Sequence, residues 1–207
     1  MSVTTTARRA AAAAVLTAAA VTLGVTAPAS AAPAVDRSLP TQVRDGLDQL
    51  RTDAGDSLQA RLAVSAIETG ARTKVSGTYA QFAYMAPTFG CSAGVTLTAA
   101  SGAGGAVGAN TGAGQIRFQA APAYTGYAIG SGLNVAWLNV NTGASGVTPL
   151  DGVTEYNLPS LARVVDSGPG NIVAALWGTV TYPAATCFVA PTVGLFNVEP
   201  APPPPPA

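Results

Sequence analysis

The apolar positions follow two periods, and the change falls near residue 74. Val43, Leu47, Leu50, Ala54, Leu58 and Leu62 recur at steps of three or four. Residues so spaced share one face of a helix, so residues 32–74 are expected to form an amphipathic helical segment. Ser38, ahead of Leu39-Pro40, is the candidate N-cap, and Gly70 the candidate stop. Gly46 and Gly55 each cost about 1 kcal/mol relative to alanine inside a helix. Gly55 is therefore a candidate break into two shorter helices. From Val75 onward the pattern changes to short apolar runs: 75–85, 95–99, 116–120, 133–140, 145–150, 161–165, 171–182 and 187–198. Asn141-Thr142-Gly143, Ser167-Gly168-Pro169-Gly170 and Pro183-Ala184 punctuate them as turns. About seven or eight such strands over 75–198 predict a mainly β fold, an immunoglobulin-like β-sandwich.

Charge divides the chain at the same place. Twelve charged residues lie between Asp36 and Lys74, six acids and six bases. From Val75 to the end there are six: Arg117, Asp151, Glu155, Arg163, Asp166 and Glu199. A membrane-surface helix would be basic, whereas this one is balanced. It is expected to pack on its own domain or to form a mobile stalk.

Residues 1–31 read as an export signal. Arg8 and Arg9 precede an uncharged run, Ala10–Gly24, and Ala29-Ser30-Ala31 offers an A-x-A cleavage site. The run is shorter than the roughly 20 residues of a spanning helix, so the mature chain is expected to carry no transmembrane helix. Alanines follow the arginine pair, which favours general secretion over the twin-arginine route. Residues 199–207 form a proline-rich tail of polyproline II type. The expected location is the medium or the cell envelope.

Composition removes whole classes of chemistry. The chain has no histidine, two cysteines, and ten basic and ten acidic residues in 207. That excludes Ser-His-Asp and Cys-His catalysis, imidazole metal sites, four-cysteine zinc and iron–sulfur clusters. Zero net charge leaves no electrostatic footprint for nucleic acid. No cofactor, metal or catalytic residue is called for.

In an exported chain, Cys91 and Cys187 are most simply a disulfide. The alternative is two free thiols, with no histidine to activate either. The order Cys91, Trp137, Cys187 has an immunoglobulin flavour, but Ala185 stands where the tyrosine corner would be. Gly90-Cys91-Ser92-Ala93-Gly94 matches the G-x-S-x-G nucleophile elbow, yet Ser92 has no base, and a glycine turn is the simpler reading. Ser101–Gln115 holds six glycines but matches no phosphate loop, and reads as a flexible connection between strands.

Candidate ligand contacts are Tyr124, Tyr127, Asp151, Glu155 and Tyr156, all in loop-like stretches. Asp151, Glu155 and Asp166 would be the acids of any carboxylate hydrolase, although structural roles are the simpler reading. From Ala86 to Val198 the chain resembles a group of small secreted actinobacterial proteins with no established activity. The resemblance rests on APTFGCSAG (86–94), GLNVAWLNVNTGASGVTPL (132–150), VDSGPG (165–170) and ALWGTV (175–180) followed by Cys187. It implies secretion and a β-fold, and brings no catalytic residues. The expected function is a non-catalytic binding or structural role, with a cell-wall or envelope component as partner. The alternatives are an outer-envelope pore subunit and a hydrolase using carboxylates.

Overall fold

A computed structural model describes residues 39–73, 84–91, 94–105 and 111–200. The export signal, Ser38, residues 75–83 of the first expected strand, Ser92 and residues 201–207 of the proline tail lie outside them; the N-cap of the first helix is Pro40, not Ser38, and it makes no side-chain cap bond.

The helical segment is two helices, α1 (Thr41–Ala54) and α2 (Leu58–Arg72). Gly55 takes φ +50 and breaks them apart, and Ser57 caps α2 by accepting from the Ala60 N–H. The break changes which residues are buried. Val43, Leu47, Leu50 and Ala54 face inward as the spacing predicts, but Leu58 and Leu62 are exposed. The new helix starts on its own axis and buries Ala60, Ala63, Val64, Ile67 and Ala71 instead. Gly70 is not a stop. It lies inside α2, where an added Cβ would sit 2.9 Å from Val173. Glu68 joins the helices, accepting from Arg51 Nη2 at 2.7 Å and from Arg72.

Eight antiparallel strands follow: β1 (Tyr84–Phe89), β2 (Thr96–Gly104), β3 (Gln115–Pro122), β4 (Gly130–Asn139), β5 (Ser145–Pro149), β6 (Ala162–Asp166), β7 (Gly170–Tyr182) and β8 (Ala185–Val198). They form one sheet in the order β5-β4-β7-β8-β1-β2-β3-β6, not the two facing sheets of a sandwich. Its two end strands meet through the residues that join them. The Gly152 N–H donates to the Ala162 carbonyl and the Ser160 N–H to that of Gly152, so the sheet is nearly closed. Short alternating strands suit a sandwich and a barrel equally, which is why the pattern did not distinguish them. Gly102 and Gly104 belong to β2, not to a loop.

The inside of the curved sheet is filled. Ile116, Phe118, Leu133, Val135, Trp137, Ile172, Leu176 and Phe196 are buried there together. Phe118 and Phe196 meet edge to face with centroids 5.9 Å apart, and Tyr84 packs on Phe196 at 5.9 Å. Small residues make the room. A Cβ on Gly102 would lie 2.7 Å from the Phe196 ring, and one on Gly194 would enter the Tyr84 ring. Burial pushes the Tyr84 phenol far above its usual range, and a backbone hydrogen bond from Leu176 offsets part of this.

β8 changes phase midway. Cys187 and Val189 face inward, and so do Phe196 and Val198. Odd positions give way to even ones because the register with β7 slips between Leu176 and Gly178, so β8 holds one extra residue there. Pro191, which has no N–H to donate, lies inside this irregular stretch. The helices pack on the outer wall: Leu47, Leu50, Val64 and Ile67 bury against Ala136, Leu138, Val173, Ala175 and Trp177.

One end of the sheet is tied by a single amide. Asn139 is fully buried at the end of β4. Its Nδ2 donates to the carbonyls of Ser167 (2.9 Å), Gly168 (3.4 Å) and Pro169 (3.0 Å), in the connection from β6 to β7. Its Oδ1 accepts from the Asn141 N–H (2.9 Å) and the Thr142 N–H (3.2 Å), in the β4–β5 turn. That turn receives α1. Gly143 adopts φ +80, and a Cβ on it would collide with the Gln42 carbonyl. Ser145 Oγ donates to the Gly46 carbonyl at 3.0 Å, so Gly46 in α1 permits a close approach.

Two expectations follow. Asn139→Ala strands several buried backbone groups and should cost about 3 kcal/mol, read as a lower urea midpoint at unchanged slope. Asn139→Asp should be at least as harmful, because a carboxylate would then face three carbonyls. The second concerns Glu68. Burial alone would raise its carboxyl, but hydrogen bonds and charge from Arg51 and Arg72 outweigh this and hold it low. A lowered carboxylate stabilises the fold above its unfolded pKa, and the effect is lost as pH falls through the folded value. Glu68→Gln should therefore lower stability at neutral pH by at most about 1 kcal/mol, read as a lower melting temperature, and the difference should vanish in acid. A constant difference from pH 7 downward through the carboxylate range would contradict this.

Candidate functional site

Strand direction decides which loops share an end. The connections 90–95, 123–129, 150–161 and 183–184 all lie at the end opposite Asn139. Tyr124, Tyr127, Asp151, Glu155 and Tyr156, scattered over 33 positions of sequence, are therefore brought to one end of the sheet.

Cys91 and Cys187 anchor this end. They form a disulfide with a Cα–Cα distance of 4.8 Å, joining the β1–β2 connection to the start of β8. Gly90 beside it has φ +82, and a Cβ there would lie 2.7 Å from the Thr186 carbonyl. Trp137 is not part of this arrangement. β7 pairs Cys187 with Val180, and Val180 pairs with Ser131, six residues along β4 from Trp137. An immunoglobulin-type pin of tryptophan on disulfide is absent among these residues.

The β3–β4 connection covers the end of the interior. β3 and β4 are not neighbours in the sheet, so 123–129 must cross from one to the other. Tyr124 rests on Tyr182 with centroids 4.4 Å apart and packs against the core. Burial pushes the Tyr182 phenol up, and Tyr124 beside it adds to the effect. Tyr124 is thus a structural ring. Ala128 is buried beneath the crossing, whereas Tyr127 and Ile129 turn outward, 61% and 51% exposed.

The β5–β6 connection projects. Leu150 and Leu161 are buried at its base. Val153 pairs with Pro159, the Thr154 N–H donates to the Leu158 carbonyl at 2.8 Å, and the Asn157 N–H donates to the Thr154 carbonyl at 3.0 Å. Asn157 takes φ +57, which asparagine tolerates. These bonds build a small closed hairpin whose tip carries Glu155 and Tyr156. Tyr156 is 77% exposed and Val153 66%. Asp151, at the base, pairs with Arg163 at 3.0 Å across the join between the end strands.

Asp166 lies at the far end, where it accepts from Gln115 Nε2 at 2.7 Å. It does not meet Asp151 or Glu155, and its role is to fasten β6 to β3. No cluster of three or more His, Cys, Asp or Glu side chains that could hold a metal ion occurs among the described residues. None of the described helices is long and apolar enough to cross a membrane. Val153 and Ile129 are also exposed at this end and were missed in the sequence, because an isolated aliphatic residue in a loop carries no chemical signature. Comparison with family models, with characterised proteins and with solved structures finds no match.

The disulfide closes a loop of about 97 residues. Replacing both cysteines with serine should destabilise the fold by about 2–5 kcal/mol, measured by denaturant unfolding. Unfolding curves that superimpose with and without reductant would contradict the assignment.

Proposed function

We propose that this chain is an exported, envelope-associated binding module that engages its partner with the loop end of the sheet. The observation that carries the reading is the hairpin 153–159. Its backbone is hydrogen-bonded to itself, and it holds Tyr156 and Glu155 out in solvent, at the same end of the sheet as the exposed Tyr127 and Ile129. A pre-ordered tip binds with little further loss of entropy, and tyrosine offers a large rigid surface with a polar end. Export is supported by the signal-like first 31 residues and by the disulfide, which persists outside the reducing cytosol.

The filled interior weighs against the pore reading, because Phe118, Phe196 and Tyr84 occupy the space a lumen would need. The carboxylates weigh against the hydrolase. Asp151 is engaged by Arg163 and Asp166 by Gln115, at opposite ends of the sheet.

The test is retention on isolated cell-envelope material of the producing organism. The chain should sediment with it, and Tyr127→Ala/Tyr156→Ala should reduce the bound fraction on the order of tenfold at unchanged melting temperature. Equal retention of the double variant, or no retention of the unaltered chain, would refute the proposal.

A further inference from the structure

The break at Gly55 leaves a cavity of about 330 Å³ between the last turn of α1 and the facing side of α2. Ala54 and Val64, both buried, form its apolar part, and Arg51, Arg61, Ser65 and Glu68 its polar part. Small-molecule sites span about 300–1,000 Å³ and combine apolar walls with a few converging polar groups. The charges around this cavity do not balance. Glu68 has both oxygens engaged: Oε2 accepts from Arg51 Nη2 at 2.7 Å, and Oε1 accepts from Arg72. Arg51 also pairs with Asp48. The guanidinium of Arg61 makes neither an ion pair nor a hydrogen bond to any described residue. Arg51, Arg61 and Arg72 thus meet only Asp48 and Glu68, and one positive charge is left over, at Arg61. Hydrogen-bond donors are in excess too. A guanidinium carries five N–H groups, of which Arg51 spends two on these carboxylates and Arg61 none. Asp53 and Asp56, in and beside the turn between the helices, do not line the cavity, and Asp53 accepts from Gln49.

We propose that this cavity binds a compact monocarboxylate, with its carboxylate on Arg61 and the spare N–H groups of Arg51 and its apolar body against Ala54 and Val64. Three features select that ligand. The planar fork of a guanidinium matches the two oxygens of a carboxylate, and such charged contacts are the strong ones. The single surplus charge calls for one negative charge, since a second would face Glu68 without a cation of its own. The buried alanine and valine favour an apolar body over a fully hydrated ion. An ammonium would meet the surplus positive charge, and a neutral molecule would leave Arg61 as unpaired as before. Ser65, whose hydroxyl both donates and accepts, adds a contact at the same wall.

The site belongs to the helices and does not depend on the loop end. Sodium benzoate is a suitable probe, titrated into the purified full chain at constant ionic strength and followed by calorimetry and by nitrogen-15 NMR of the arginine Nε–H groups. It should fill one saturable site with Kd on the order of 1 mM and shift the Arg61 signal, whereas benzyl alcohol, which lacks the charge, should not bind. Arg61→Gln should weaken binding at least about tenfold at unchanged melting temperature, while Tyr156→Ala leaves it unchanged. Arg61→Lys, which keeps the charge but loses the fork, should also bind more weakly and gives the reading should the glutamine variant prove unstable. No saturation up to about 20 mM benzoate, equal affinity in the folded Arg61 variants, or inorganic phosphate binding as tightly as benzoate would each overturn the proposal.

Discussion

The carboxamide of Asn139 is the constraint on which the arrangement depends. A nearly closed sheet of eight strands in this order needs two connections that pass between strands which are not neighbours, β3 to β4 and β6 to β7. A connection crossing the end of a barrel takes backbone N–H and carbonyl groups away from the ladder, and buried groups of that kind must be bonded. At the β6–β7 crossing the carbonyls of Ser167, Gly168 and Pro169 all converge on Asn139 Nδ2, while Oδ1 fixes the adjoining β4–β5 turn. The same turn then offers Gly143 to α1. One side chain thus sets the end of the barrel and the seat of the helices.

The composition acquires a structural meaning from the interior. The chain has 43 alanines and 23 glycines. A small barrel leaves little cross-section, so large rings must face small residues. Gly102 and Gly194 face Phe196 and Tyr84, and Ala86, Ala100 and Ala120 line the same space. The few charges follow from this geometry too. β4, β7 and half of β8 are covered on both faces, by the interior and by the helices, and strands buried on both sides are continuously apolar.

Local pattern made the strands, the composition boundary, the helix break and the cysteine pairing legible. Each depends on residues near in sequence, or on an even count of cysteines. The closure of the sheet depended on pairing between distant strands, which alternation does not encode. The outward turn of Leu58 and Leu62 came from the change of axis at Gly55, invisible to a spacing rule that assumes one straight helix. The loop tyrosines were legible as candidates but not as neighbours. Strand direction alone brought Tyr127 and Tyr156 to one end, and separated Asp166 from the other acids. Tyr124 shows the limit of residue type as a guide, since the same side chain in the same loop as Tyr127 serves the core.

The 153–159 hairpin also carries the clearest local strain. Leu161, at its base, adopts φ +50, a region that costs a non-glycine residue about 1–2 kcal/mol. Leucine has no polar side chain to ease that conformation, so the cost must be offset by its surroundings. They do so through burial of Leu161 in the core and through its carbonyl, which accepts from the Ala120 N–H at 2.9 Å. A chain in need only of a link between β5 and β6 could use a relaxed turn. Here a strained base, a closed hairpin and an exposed tip occur together, and backbone strain held by packing is a feature of sites where geometry is used. Under the proposed binding role, that combination favours the loop end, rather than the helical face or the end tied by Asn139, as the surface that carries it.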